Sequence, residues 1–439
     1  MAVLRAAMRV SALSFVALAL LGVREVLAAR EFGTSDGMDA AVLAYAVTTF
    51  CITVMGASVS SAFLPRFVRL RESGGPRVAQ QLLDSVAVSA LTLLGLIAVA
   101  VLAARGWILP LLAGGFPPGK LTFTGLLLGV LALGIVLSGV TNVWKAVLNS
   151  EGRFAVAAIS PASVPVFAIV GLILFAERIG VRALVWGSLV GYIVEAALLA
   201  VAVRACGFRV VPTSFVWSED LRGVARQYVP MLAGALVGSA APLIDSAMAT
   251  AVGSGSVAAL GYGIKLVQFP LGLGTVGVST TAFPTYASLV ARRDWETLRG
   301  LRRLHSGYIL AFGIPVTVAV VWSAPVLVRV VFQRGAFTEA DTLLIASVVQ
   351  MLAVRIPVHV LAALNVRLLS ALSANQTMFW AASVSTISNV VLNVLLVRWM
   401  GLAGIALSTS LSTALTYGLL EWALRRKLAE TIRVSATSD

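Results

Sequence analysis

Twelve apolar runs follow one another along the chain with only short polar turns between them. They fall at about 8–30, 38–65, 79–103, 121–144, 153–176, 182–204, 228–252, 256–290, 306–332, 340–370, 375–397 and 401–424. A helix needs about 20 apolar residues to cross the hydrocarbon core of a bilayer. Lipid offers no partner to backbone N–H and C=O groups, so each run must satisfy its own hydrogen bonds as a helix. The period-two alternation of a membrane barrel is absent. Charge content agrees, since 12% of the 439 residues are charged, against about a quarter in a soluble domain. The expected fold is an all-α polytopic membrane protein with about twelve transmembrane helices.

Loop charges orient these helices. With the amino terminus inside, beside Arg5 and Arg9, the turns on the same side carry Arg66, Arg69, Arg71, Arg77, Lys145, Arg153, Arg204, Arg209, Arg222 and Arg226. The later turns on that side add Arg292, Arg293, Arg299, Arg302, Arg303, Arg425, Arg426, Lys427 and Arg433. Roughly 21 basic residues thus lie on one side and about 7 on the other, namely Arg30, Arg105, Lys120, Arg178, Arg182, Arg334 and Arg398; the richer side is the cytoplasm. Both termini are expected there. The bias tracks membrane side, so it accounts for the net charge of +14 without nucleic acid as a partner. The first 30 residues also fit a signal peptide, but the apolar run continues through Arg24-Glu25 and further spans follow at once. Cys51 and Cys206 imply no disulfide framework. His305 and His359 are too few and too far apart for a metal centre.

The longest inside loop, 206–227, divides the spans six and six. Residues 1–205 and 228–439 are expected to form two helical lobes, the second with a short basic tail. A weak internal repeat supports the division: GASVSSAFLPR at 56–66 and GTVGVSTTAFPTY at 274–286 both end a long second helix with small residues and a Phe/Pro pair. Repeated halves around a site near the midplane are a common transporter plan. RGWILPLLAGGF at 105–116 reads as an interfacial helix, and VFQRGAF at 331–337 as a cap and turn before Thr338-Glu339.

Arg24, Glu25, Asp84, Glu195, Asp245, Lys265, Arg355 and Arg367 fall inside the apolar runs. A charge at bilayer depth costs about 2.5–3.5 kcal/mol on insertion scales, so such residues normally face a bundle interior or a wet cavity. The cationic members point to an anionic cargo. A structural alternative stands beside each: Arg24 and Glu25 as a helix staple, Lys265 snorkelling to the interface, and Arg355 and Arg367 near the cytoplasmic end of one long helix.

Five segments carry a family resemblance: GVREVLAAREFG at 22–33 followed by Asp39, AFLPRFVRL at 62–70, VLNSEGRFAVAAISP at 147–161, YGIKLVQFPLGLGTVGVSTTAFP at 262–284 and VFQRGAFTEADT at 331–342. NVVLNVLL at 389–396 with GLAGIALSTS at 401–410 adds a sixth. Together they resemble the MviN/MurJ lipid II flippases of the multidrug/oligosaccharidyl-lipid/polysaccharide (MOP) exporter superfamily. The resemblance implies a V-shaped, MATE-like pair of six-helix lobes. It also implies movement of a polyprenyl-pyrophosphate-linked saccharide from inner to outer leaflet by alternating access, with membrane lipids as surroundings and no enzymatic chemistry.

By the same resemblance, the substrate-binding residues are Arg24 and Glu25 (Glu where the family usually has Asp), Asp39, Lys265 (where the family has Arg) and Arg367. Matching positions form a sodium site in some members, falling here on Asp245, Asn389, Asn393, Thr409 and the carbonyl of Ile405. Oxygen ligands suit a hard cation, but Asn393 replaces an acid, and Asn389 and Asn393 on one helical face also suit interhelical hydrogen bonds. Leu18, and Ile52 or Thr53, stand where the family usually has arginines. Lipid II flippases also usually carry two more helices, which form a groove for the lipid tail. These differences bear on the cargo rather than on the transporter class. Lipid II is the first expectation, an exopolysaccharide or O-antigen repeat unit the alternative. A cation-coupled MATE-like drug exporter would want an acid-dominated cavity instead.

Overall fold

The computed structural model describes residues 2–372 and 374–438, with side chains at all of these except 2–9, 11, 57, 276, 277, 279–281, 283, 284, 375 and 432–438. Arg5, Arg9 and Arg433 therefore lie outside the described side chains. The described residues form helices joined by turns, with no strand among them. In chain order these are α1 (Ala2–Phe32), α2 (Asp36–Ser73), α3 (Gly75–Ala103), α4 (Arg105–Leu112), α5 (Pro118–Ser150) and α6 (Phe154–Ile159). A 3₁₀ turn at Ser160–Ala162 leads to α7 (Ser163–Ile179), α8 (Arg182–Ala205), α9 (Glu219–Ala249) and α10 (Ser256–Ala291). The chain continues through α11 (Trp295–Phe332), α12 (Glu339–Ala353), α13 (Ile356–Ala371), α14 (Asn375–Met400) and α15 (Leu402–Ser438).

Among the described residues eleven helices are long and apolar enough to cross a membrane, and α12 with α13 makes a twelfth span if the bent pair is counted as one. All twelve apolar runs thus have a counterpart. The tenth differs from expectation. Residues 340–370 read as one long helix, but the chain breaks at Val354-Arg355 and turns by 41°. Pro357, in the first turn of α13, has no N–H to donate to the carbonyl of Ala353 four residues back and its ring crowds that carbonyl, which ends α12 there. Arg355 sits at this break, in the N-cap position of α13.

Local chemistry sets the other boundaries. Ser35 caps α2 by accepting from the Met38 N–H, with Asp36 and Asp39 in the first turn; both acids complement the positive end of the helix dipole. Ser218 caps α9 through the Leu221 N–H. Thr338 and Asp341 form a reciprocal capping box on α12, and Gly335 before it has φ +62°. The expected cap and turn at 331–337 is present, and the Ala336 N–H donates to the Arg30 carbonyl at 2.8 Å.

Contacts divide the chain into two compact units: Met1–Val257 with Arg334–Phe337, and Ala258–Gln333 with Thr338–Asp439. The first holds α1 to α9, with α9 and the 206–218 linker included; there α9 packs on α2. Its apolar core has one cluster around Phe63, Phe67, Val143, Val147 and Leu199 and a second around Ala44, Leu128, Leu131 and Val185. The second unit closes on Tyr286, Leu364, Leu368, Leu420 and Leu424. Trp107 and Leu111 of α4 are exposed, as an interfacial helix requires.

Candidate functional site

Arg24 lies well inside the span that ends at Phe32. It is 8% exposed and Glu25 5%. Its terminal nitrogen donates to the Glu25 carboxylate, and its guanidinium lies over the Tyr45 ring, 5.3 Å from the centroid. Tyr45 is itself fixed, its hydroxyl 2.6 Å from Ser188 Oγ and 3.2 Å from the Leu184 carbonyl. Three elements of the first unit, α1, α2 and α8, therefore hold one cation. The Arg24 Nε is buried with no hydrogen-bond partner among the described residues. A donor left so in a low-dielectric interior is costly and is suited to an anion that brings its own oxygens. Neither Tyr45 nor Ser188 was singled out from sequence. A tyrosine within an apolar run carries no pattern that marks it as an arginine platform.

Asp39 has a different setting. It is fully buried, and its carboxylate accepts from Lys120 Nζ at 2.6 Å and from the Gly255 N–H at 2.7 Å. Lys120 reaches Asp36 as well, also at 2.6 Å, and lies over the Phe116 ring. Asp36 accepts in turn from Ser254 Oγ. The cluster ties the starts of α2 and α5 to the turn before α10. Lys120, counted from sequence as a loop charge, is 8% exposed and is the counter-ion of this cluster.

Two of the other charges in the apolar runs serve packing in the first unit. Glu195 of α8 pairs with Lys145 of α5 at 2.6 Å. Asp84, at 1% exposure, sits on α3 beneath the linker. It accepts from the Gln80 side chain at 2.5 Å and, at 3.2 Å, from both the Thr213 N–H and hydroxyl. Gln80 also exchanges hydrogen bonds with the Arg209 backbone. Both acids are thus structural staples rather than parts of a polar path.

In the second unit Lys265 stands on α10 and Arg367 near the end of α13, both half-buried. Asn389 and Asn393 of α14 are buried and face α15. The Asn393 amide donates to the Asn389 carbonyl oxygen at 3.2 Å, and Ser408 donates to Asn393 Oδ1. Ser408 and Thr409 both donate to the Ile405 carbonyl, at 2.7 and 3.1 Å. Ser408 was missed in the sequence, although it lies one residue from Thr409. This set carries no formal charge, the Asn389 and Asn393 side-chain oxygens and the Ile405 carbonyl accept hydrogen bonds, and Asn389 Nδ2 is a buried donor without a partner among the described residues. Within the second unit these residues form an interhelical hydrogen-bond network; the one carboxylate of the expected sodium set, Asp245, belongs to the first unit. Among the described residues no group of three or more His, Cys, Asp or Glu is placed to hold a metal ion.

Comparison with known proteins adds an independent line. A family model described as lipid II flippase MurJ matches residues 28–437. A probable lipid II flippase MurJ of Vibrio cholerae serotype O1 is 26% identical over 456 residues, covering 95% of this chain and 82% of its own. Another of the same description, from Rhizobium meliloti, is 26% identical over 397 residues, covering 88% and 73%. A solved lipid II flippase MurJ in an inward closed conformation superposes with TM-score 0.84 at 21% identity, covering 96% of this chain and 89% of the other. An inward-facing MATE family multidrug resistance transporter of the MOP superfamily gives 0.81 at 15%, covering 95% and 96%. At these identities the two structures speak to the fold alone.

Proposed function

Because the chain belongs to the MurJ lipid II flippase family, we propose that it carries a polyprenyl-pyrophosphate-linked saccharide, lipid II, from the inner to the outer leaflet of the bacterial inner membrane by alternating access, with both termini in the cytoplasm. The observation that carries this reading is Arg24, a buried guanidinium inside a span, held by Glu25 and the Tyr45 ring and keeping an unpartnered Nε.

A pyrophosphate brings about two negative charges, and an ion leaving water pays several kcal/mol even after relaxation. Arg24 offsets that cost because it stays charged and presents a planar fork to phosphate oxygens. Glu25 occupies one edge of the fork. It fixes the guanidinium in place and tempers its hold on cargo, which must leave on the other side. By the family resemblance, Lys265 and Arg367 of the second unit are further cations suited to phosphate oxygens. Asp39 acts at one remove from the cargo, through the buried cluster with Lys120 and Gly255 that fixes the starts of α2 and α5. A coupling ion would need Asp245 to join Asn389, Asn393, Thr409 and the Ile405 carbonyl.

The test is rescue of cells depleted of their own lipid II flippase. Wild-type protein should restore growth and Arg24→Ala should not, with both present in the membrane at equal levels. Rescue by the alanine variant would overturn this reading. Rescue failure by the wild type, with lipid-linked exopolysaccharide units translocated instead, would move the cargo to the alternative class.

A further inference from the structure

A cavity of about 450 Å³ opens in the second unit between the first half of α11 and the later turns of α15. Arg299, Arg302, Arg303 and Arg425 line it, together with Tyr417 and Glu421. Glu421 is its one acid and is already committed. Arg302 and the Asn365 amide take one carboxylate oxygen and Arg425 Nε the other, the last two at 3.0 and 2.7 Å. Four arginines less one glutamate leave the lining at +3. Arg299 and Arg303 make no ion pair among the described residues, and the Arg302 Nε is buried without a hydrogen-bond partner.

Four guanidiniums border one concavity, Arg302 half-buried and Arg299, Arg303 and Arg425 exposed at its rim, with Leu428 and Ala429 as its apolar lining. Convergent like charges repel, and an anion with several oxygens relieves that repulsion while filling the vacant donors. The volume suits a small-molecule site. Its depth is marked by Trp422 on α15, 62% exposed and stacked by Arg426 at 5.9 Å, an arrangement typical of the membrane interface. Basic pockets between membrane helices on the cytoplasmic side are suited to anionic lipid headgroups.

We infer that the Arg299–Arg302–Arg303–Arg425 cavity is a binding site for a phosphate-bearing anion at the membrane surface, separate from the cargo cations and independent of the cargo's identity. Its interfacial depth favours an anionic phospholipid headgroup over a soluble phosphate.

The experiment uses the full chain in detergent, with native mass spectrometry to count bound cardiolipin against phosphatidylcholine, and sodium pyrophosphate as a soluble competitor. Wild type should retain cardiolipin and shed phosphatidylcholine. Arg299→Gln combined with Arg303→Gln should weaken cardiolipin binding by about tenfold or more, as expected on losing charge-assisted hydrogen bonds. Neither substitution breaks an ion pair, so folding should persist, and Arg299→Lys with Arg303→Lys should show a partial loss on a fold-neutral background. Lys427→Gln, on the same helix end, should leave binding unchanged. Displacement by pyrophosphate, with the same dependence on Arg299 and Arg303, would support the site with a soluble phosphate as its source. Equal retention of both lipids, or indifference of cardiolipin and pyrophosphate alike to the double substitution, would overturn the proposal.

Discussion

Replacing Lys120 by Met would strip the buried Asp39 carboxylate of the lysine that meets it at 2.6 Å. Breaking a buried pair from one side typically costs about 3–5 kcal/mol, so thermal unfolding in detergent should show a large loss for Lys120→Met. Asp36→Asn should cost far less, because Asp36 is mostly exposed and surface pairs contribute about 0–1 kcal/mol; equal losses would mean that the cluster is not organised around Asp39. Lys265 gives a contrasting case. Lys265→Arg should sustain transport, while Lys265→Ala should weaken cargo binding by about 1–3 kcal/mol if one charged hydrogen bond is lost, measured by titration with a soluble pyrophosphate analogue of the cargo. Residue roles were only partly legible in the sequence. Arg24 and Glu25 announced themselves because charges interrupt an apolar run. Lys120 was hidden among loop charges, and Asp84 and Glu195 looked like parts of a polar path. Their partners, Thr213 and Lys145, are distant in sequence, and only the fold brings them together.

Among elements, α7 and α8 lie against each other through glycines. A Cβ on Gly171 would meet the Ala183 carbonyl at 2.6 Å, and one on Gly187 the Phe167 carbonyl at 2.5 Å. Small residues permit such close approach where no hydrophobic force drives helices together in lipid. Gly187→Leu should therefore destabilise by about 1–3 kcal/mol or more. Gly95→Ala, where a Cβ meets nothing within 4 Å, should be neutral or mildly stabilising in the same unfolding assay; similar losses at both positions would refute the packing argument. The α14–α15 network makes a second forecast. Asn393→Leu should lower stability equally with and without Na⁺, by about 0.6 kcal/mol for a typical interhelical bond. Sodium-dependent stabilisation that vanishes in Asn393→Leu or Asp245→Asn would instead support an ion site there. The α7–α8 and α14–α15 turns also share a backbone geometry. Gly180 (φ +61°, ψ −144°) and Gly401 (φ +55°, ψ −130°) each end a helix in a backbone shape that only glycine adopts readily. The bend at Val354-Arg355 was foreshadowed by Pro357 but masked by continuous apolarity on both sides of it.

For the whole molecule, span number was the most legible property, because apolar length is read directly from composition and lipid permits no other backbone solution. Which spans group together was less so: α9 follows the linker in sequence yet packs on α2, a contact no local pattern encodes. Orientation rests on the loop charge bias and is testable on a background lacking Cys51 and Cys206. Gly119→Cys, at an exposed position with open space for a side chain, should label from outside intact cells, and Ser73→Cys only after permeabilisation; the reverse pattern would invert the topology. The central claim is that a buried arginine fork in α1 handles a pyrophosphate. Its most direct measurement is the rate at which purified protein in vesicles exposes fluorescent lipid II to an external probe, compared among wild type, Arg24→Ala and Arg24→Lys. The account predicts translocation by the wild type, none above protein-free vesicles for Arg24→Ala, and partial activity for Arg24→Lys, which keeps the charge and loses the bidentate geometry. Translocation by correctly folded Arg24→Ala at the wild-type rate would contradict it.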